Sequence, residues 1–490
     1  MNSSSSTAAP GKSGYNRFLL LVAGLGGLLF GIDVGIISGA LPYLEATFKD
    51  AATNATLTAN QLSFIVAAVL LGGVFSTLFA GMLADLMGRK KMMIFSGVLF
   101  VVSVPVIALS HSYGALIFGR LLQGISGGLI GVGIPLYLAE CLDANNRGKG
   151  TGIFQWLLTL GIVAAAVIGF YFSGRVEEVA KLGDAEKIFA FKDHAWRGIF
   201  WVSLPPGILF VIGAFMVSES PRWLFRKGKK DAARAALLRS RSEAQAEIEL
   251  REMEETAAHE KSKSGVAAAN ESLLQRKYVI PFVLACIILA CNQATGVNSV
   301  IGYNATILIQ AGLSDKQAHL GYVILTAVNF LMTIGAIALV DKKGRKFLLS
   351  LGSAGVIISL LAVGMVFKKT EAHRYDDAHL VDGSKNPAQP ELRSHSPDQS
   401  LVIEINPDAA RKASMDITHE IWYDHTGLNT KVIIYSYGDF RAATRVIRSD
   451  ETNTTITLDR KNCLPDTKVA AFFKNPFADL DKSRAAPLKI

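Results

Sequence analysis

Apolar residues in this chain gather into long runs instead of alternating with polar ones. A helix rises about 1.5 Å per residue, so roughly 20 mostly apolar residues cross about 30 Å of hydrocarbon. Nine runs meet that length: 18–44, 62–84, 92–110, 115–139, 151–172, 199–218, 278–310, 321–340 and 347–367. Their length and their Leu, Val, Ile and Ala content predict membrane helices, not barrel strands. The first run follows Lys12 and Arg17, as in a signal peptide. It is too long for one, and eight further runs follow.

Orientation comes from the basic residues of the short loops. Alternate loops carry Arg89, Lys90 and Lys91, then Arg147 and Lys149, then a cluster over 222–241, then Lys342, Lys343, Arg345 and Lys346. The intervening loops 49–61, 111–114 and 311–320 are poor in charge, and 174–198 balances five basic against five acidic residues. The basic set and the N-terminus are therefore expected in the cytoplasm, with the protein in the cell (inner) membrane. Nine spans then put 368–490 outside, although Lys368 and Lys369 run against the rule.

Composition agrees. Half of the 490 residues are hydrophobic and only 19% are charged, against about 25% in a soluble domain. Basic residues number 50 and acidic residues 41, a net charge of +9. Residues 368–490 hold eighteen of each, so the whole excess lies in the loops of the apolar part. That distribution argues against a nucleic-acid partner. Four scattered cysteines, Cys141, Cys286, Cys291 and Cys463, make no disulfide framework. Residues 219–277 start basic and turn acidic, which suggests short amphipathic helices. The last stretch has β-like runs at Leu401-Val402-Ile403, Val432-Ile433-Ile434-Tyr435 and Thr454-Thr455-Ile456-Thr457. Its His373 and His379 form no strong metal pattern. No zinc-protease helix motif, P-loop or nucleophile elbow occurs, so neither an enzyme, a cofactor site nor an ATP-driven pump is expected.

The loop after span two reads Gly81-Met-Leu-Ala-Asp85-Leu-Met-Gly88-Arg89-Lys90-Lys91, and the loop after span eight reads Asp341-Lys-Lys-Gly344-Arg345-Lys346. Both stand at a cytoplasmic junction between the second and third span of a group. That is internal duplication, from which many transporter folds are built. Glycine allows the tight turn, while Asp and Arg can clasp a neighbouring helix end.

Polar residues inside the spans carry the chemistry. Asp33 interrupts the first span, where a carboxylate costs about 3 kcal/mol on insertion scales. It must face a cavity or a partner, and Arg120 in span four is the natural one. Such a pair can load and release a proton, though it could also be a static tie between two helices. Gln155, Gln293, Asn298 and Asn329 are uncharged amides within spans five, seven and eight. Each donates and accepts hydrogen bonds, as a polyol requires; interhelical glue is the alternative use. The seventh run has thirty-three residues with Asn292, Gly296, Asn298 and Gly302 in its middle, and is expected to break there. Phe30 could stack on the apolar face of a bound molecule or simply pack.

These motifs resemble the sugar porter family of the major facilitator superfamily over nearly all of 15–367. Gly81-x3-Asp85-x2-Gly88-Arg89-Lys90-Lys91 matches the superfamily loop. Ser218-Glu219-Ser220-Pro221-Arg222 resembles the family's Pro-Glu-Ser-Pro-Arg box, with serine first. Phe118-Gly-Arg120 with Gln123-Gly124, Tyr137-x2-Glu140, Arg147-Gly148 and Asn292-Gln293-Ala-Thr-Gly296-Val-Asn298 complete the likeness. It implies an all-α membrane protein of the major facilitator fold, with nine of twelve spans present and a polar extracytoplasmic C-terminal segment with some β. It implies Asp33 and Arg120 as the proton-coupling pair, since facilitative members typically lack the aspartate. Gln155, Asn292, Gln293, Asn298, Asn329 and Phe30 become sugar-binding residues. Asp85, Arg89, Glu140, Arg147, Glu219, Arg222, Asp341 and Arg345 become gating residues. Asn292 for the first Gln of the family box, and Gly302-Tyr303 for a tyrosine pair, leave the sugar open.

The expected organisation is a cytoplasmic tail (1–17), a six-helix bundle (18–218), a cytoplasmic linker with short helices (219–277), three spans of a second bundle (278–367) and an extracytoplasmic insertion or tail (368–490). The expected function is symport of a pentose or hexose with a proton, by alternating access, in a monomer embedded in lipid. Facilitative uniport and non-transporting sugar sensing are the rival readings. The family's last three spans, with the expected partner of Arg89, have no counterpart here. Residues 1–490 alone are therefore not expected to transport, and the reading frame is expected to continue.

Overall fold

The computed structural model describes residues 10–49, 57–142, 144–264, 275–311 and 313–372, and in the last part 401–405, 430–431, 434–443, 447–448, 454–458, 460–465, 467–475, 477–486 and 488–489. His373, His379, Val432 and Ile433 lie outside the described residues. The chain divides into two compact units, Met1–Leu308 with Ser314–Gly352, and Ile309–Leu313 with Ser353–Ile490.

Fourteen helices follow one another to residue 372 among the described residues: α1 (Pro10–Thr47), α2 (Ala59–Met87), α3 (Arg89–Ala108), α4 (Tyr113–Cys141), α5 (Ala144–Ala180), α6 (Ala185–Trp201), α7 (Leu204–Met216), α8 (Pro221–Arg226), α9 (Lys230–Ser240), α10 (Glu243–Ser264), α11 (Arg276–Ala294), α12 (Val297–Gln310), α13 (Asp315–Lys343) and α14 (Arg345–Ala372). They supply nine stretches long and apolar enough to cross a membrane, one for each run read from the sequence. The largest difference is at span six. The region 174–198, a loop by hydropathy, is mostly helix: α5 runs to Ala180 and α6 begins at Ala185. Asp184 caps α6 by accepting the N–H groups of Glu186 and Lys187 at 3.1 and 3.2 Å. The Lys187 N–H, its ammonium and the Glu186 N–H hold the Asp184 carboxyl below the usual range. The polar first half of α6 hides its helix from a hydropathy reading, yet Trp196, Ile199 and Phe200 bury one face.

The internal repeat extends to the helix ends. α2 and α13 are both 29 residues long, and both start with a capping box, Thr58 with Gln61 and Ser314 with Gln317. Each cap satisfies backbone N–H groups that the first turn leaves unpaired. Both helices end at a glycine with positive φ, Gly88 at 95° and Gly344 at 82°, followed by arginine. Other residues adopt that backbone only with strain, so the glycine makes the hairpin turn into α3 and α14.

The first unit packs α1 against α5, α2 and α3 against α4, and α13 against α5. The α1–α5 contact is backbone to backbone: a Cβ at Gly31 would collide with the Leu158 carbonyl, and one at Gly161 with the Leu28 carbonyl. Two apolar cores flank it, one around Tyr43, Trp196 and Phe200, the other around Phe100, Tyr137 and Phe210. As expected, the seventh run breaks at Thr295–Gly296, between α11 and α12, with Gly296 at φ 76°. Short helices α8 and α9 follow span six and dock on the bundle, while the 22-residue α10 packs on α9. Arg241 donates to the Cys141 carbonyl at 2.9 Å, and the Arg239 guanidinium lies 4.6 Å from the Tyr15 ring.

In the second unit, β1 (Leu401–Ile405) pairs antiparallel with β6 (Thr454–Leu458), and β2 (Thr430–Lys431) with β5 (Ile447–Arg448). A three-stranded sheet has β3 (Ile434–Tyr437) between β4 (Phe440–Ala443) and β7 (Leu488–Lys489). With α15 (Arg460–Cys463), α16 (Lys468–Lys474) and α17 (Leu480–Ala485) it encloses a small core of Tyr435, Phe440, Cys463, Leu464, Ala471 and Leu480.

Candidate functional site

Asp33 of α1 and Arg120 of α4 are both 1% exposed. Arg120 Nη1 stands 3.9 Å from Asp33 Oδ1, within ion-pair range but beyond a hydrogen bond. Neither Asp33 oxygen has a hydrogen-bond partner among the described residues. The guanidinium is held instead by Gln123 Oε1, which accepts from Nη1 at 2.7 Å, and by the Ile65 carbonyl, which accepts from Nε at 3.4 Å. The Phe200 ring centroid lies 5.7 Å from its central carbon. The sequence pointed to the pair but not to Gln123 as its third member. A spacing of three on one helix face was the available signal.

The amides are only partly brought together. Asn298 Nδ2 donates to Gln293 Oε1 at 2.7 Å across the break in span seven. That leaves the Gln293 amide hydrogens and the Asn298 carbonyl oxygen for another partner. Gln155 of α5 and Asn329 of α13 are exposed, as is Asn292. Their neighbours Trp156 and Phe330 stack with centroids 5.8 Å apart, which ties these helices at that level. Phe30 lies against Gly127 of α4, one turn from Asp33, as part of a core.

A charge cluster closes the end where α2, α3, α4, α7 and α8 meet. Arg89, buried, donates from Nη2 to Glu140 at 2.8 Å and from Nη1 to Asp85 at 2.9 Å. The acidic partners of Arg89 are therefore Asp85 and Glu140, both within this unit, and the pairing needs no residue beyond the described spans. Glu219 Oε1 accepts the N–H groups of Arg89 and Lys90 at 2.9 and 3.0 Å, tying the residue after span six to the α2–α3 turn. Ser220 also donates to Glu140, and Trp223 Nε1 donates to the Asp85 carbonyl at 2.9 Å. Arg226, not Arg222, joins the cluster, with Nη2 3.3 Å from Glu140 and 3.6 Å from Asp85. Arg222 is exposed and makes no ion pair with another described residue. The side chains of Arg147, Asp341 and Arg345 lie outside the described residues.

A second cluster, not foreseen, joins α1 to α13 at their opposite ends. Tyr43 donates to Asp315 Oδ2 at 2.7 Å, and its ring stacks on His319 at 5.6 Å and 3°. His319 is fully buried, with Nδ1 2.8 Å from the Asp315 carbonyl and Nε2 3.3 Å from the Gly39 carbonyl. Tyr322 donates to the Gly35 carbonyl at 3.0 Å, and Ser38 accepts the Ala305 N–H at 3.2 Å. The Asp315-x3-His319 spacing was visible, but it fell in a stretch read as a loop.

Long apolar helices, an internal repeat, a helix broken at mid-span beside paired amides and a buried ionisable pair define a secondary transporter. Residues 19–380 match the family described as "Sugar (and other) transporter", and the chain belongs to it, within the major facilitator superfamily. It is 32% identical over 352 residues to the "Glucose transporter GlcP" of Staphylococcus epidermidis, covering 72% of each chain. It is 31% identical to the "Galactose-proton symporter" of Escherichia coli, covering 71% of this chain and 70% of that one. Among solved structures, the partially occluded inward-open xylose transporter XylE from E. coli superposes with a TM-score of 0.60 at 26% identity, covering 73% of this chain and 80% of that one. The protein is a multi-pass membrane protein.

Proposed function

We propose that the chain is a secondary active transporter that carries a pentose or hexose together with a proton, by alternating access of two helical bundles. The observation that carries this is Asp33. A carboxylate buried between α1 and α4 without a hydrogen bond, 3.9 Å from an arginine, is costly unless its protonation changes during the cycle. Gln155, Asn292, Gln293, Asn298 and Asn329 bind the sugar hydroxyls, and Phe30 lines the same level. Asp85, Arg89, Glu140, Glu219 and Arg226, with Arg147, Asp341 and Arg345 from the other junctions, form and release the cytoplasmic gate. The N-terminus and residues 219–277 face the cytoplasm, residues 368–490 face outward, and the carrier works as a monomer in the inner membrane.

One charge moving through 100 mV is worth about 2.3 kcal/mol, enough to concentrate sugar tens-fold. In proteoliposomes made from the complete gene product, an inward proton gradient should drive that accumulation. Counterflow over a panel of pentoses and hexoses identifies the substrate. Asp33→Asn should lose uphill accumulation and keep exchange. Uphill uptake unchanged in that variant would return the pair to a structural role, and binding without exchange would make the protein a sensor.

A further inference from the structure

We infer that Gln123 is a positioning residue for proton coupling: it offers Arg120 a second acceptor to rest on while Asp33 carries the proton. The inference rests on Asp33 being the proton carrier. One nitrogen, Arg120 Nη1, faces both choices, at 2.7 Å from the Gln123 amide oxygen and 3.9 Å from Asp33. A charge-assisted bond to a carboxylate would be about 2.8 Å long, so a shift of about 1 Å exchanges one partner for the other.

The burial of Gln123 sharpens the point. It is 0% exposed, and its amide nitrogen has no partner among the described residues. An amide kept to tie helices together would use both ends; this one is used only as an acceptor for Arg120. The Phe200 ring and the Ile65 carbonyl hold the rest of the guanidinium. Arg120 thus stays partnered when it leaves Asp33, and the arrangement matches a neutral, protonated Asp33. When the proton returns to water, the carboxylate draws Nη1 back.

The groups facing the pair are few. Asp33 comes from α1, the Ile65 carbonyl from α2, Gln123 from the same turn of α4 as Arg120, and Phe200 from α6. No other charged group acts on either member among the described residues. The balance between Asp33 and Gln123 for one guanidinium therefore sets how acidic the medium must be before Asp33 loads.

The test is the pH at which sugar accumulation is half-maximal, in proteoliposomes of the complete gene product. Gln123→Met keeps the size of the side chain and removes the acceptor. Arg120 then stays with Asp33, loading needs more protons, and the midpoint should move down by about one pH unit. Gln123→Glu holds Arg120 more firmly and adds a like charge near Asp33, so the midpoint should move up. A merely structural amide would not give opposite shifts. If Gln123→Met fails to give a monodisperse protein in detergent, Gln123→Glu, the closer match in shape, decides alone. An unmoved midpoint in folded Gln123→Glu, with Asp33→Asn unable to accumulate sugar, overturns the role of Gln123 and leaves Asp33 standing. Uphill uptake retained by Asp33→Asn overturns the carrier reading itself.

Discussion

Glu140 has the most demanding position of the charged side chains at the α2–α3 turn. It sits at the end of α4, accepts from Arg89 and Ser220, and lies 3.3 Å from Arg226. Arg89 is buried, so removing the charge of Glu140 leaves a guanidinium whose remaining acidic partner, Asp85, is largely exposed. Breaking a buried pair from one side costs about 3–5 kcal/mol, and the partial exposure here brings the expected loss in Glu140→Gln to about 2 kcal/mol. That should appear as a clear drop in the unfolding temperature in detergent, whereas Arg222→Ala should melt as the parent does. Equal melting of Glu140→Gln and the parent would show that these bonds add nothing to stability. At this scale the sequence was uneven. Glu140 and Arg89 stood out by motif, but Arg226 looked like one basic residue among several. Only the short helix α8, which turns its last residue back toward α4, separates it from Arg222.

At the scale of elements, nine spans were legible because nothing but a membrane helix explains such long apolar runs. The break in span seven was legible for a related reason: thirty-three residues are too many for one straight crossing, and Gly296 marks where the chain turns. What stayed hidden were contacts between elements far apart in sequence. Tyr43 and Asp315 are 272 positions apart, and no pattern along either helix announces their bond. The hidden contact makes a prediction. α1 and α13 are joined there by the Tyr43–Asp315 bond, the Tyr43–His319 stack and the His319–Gly39 contact. Tyr43→Phe keeps the stack and removes a charge-assisted bond worth about 1.5–3 kcal/mol. In the outward-facing ends of the proposed orientation, that should open the junction about tenfold more often. A cysteine replacing buried Ser38 should then react with an impermeant maleimide several-fold faster in the Tyr43→Phe background. Identical rates would mean that this cluster does not hold the two helices together.

At the scale of the whole molecule, the number of spans and the side each loop faces are one question. Spans alternate direction, so the α5–α6 turn and the α8–α9 turn, separated by span six, must lie on opposite faces. In the proposed orientation, the nine spans found among the described residues would also leave 368–490 opposite the N-terminus. The loop charges decide which face is which, and two lysines after span nine are the one dissent. Three exposed positions test this together: Leu182 between α5 and α6, Lys229 between α8 and α9, and Phe477, which is 96% exposed. Each is changed to cysteine after the four native cysteines are replaced, and intact cells are treated with an impermeant thiol reagent. Leu182→Cys and Phe477→Cys should label at once, and Lys229→Cys only after the membrane is opened. The reverse pattern at all three would invert the carrier and put its basic loops outside. Labelling of Leu182→Cys but not Phe477→Cys would mean that one of the last three spans does not cross. Gln293, Asn298 and Asn329 lie on the first two of these, so that outcome would also remove the reason for placing the sugar between two bundles.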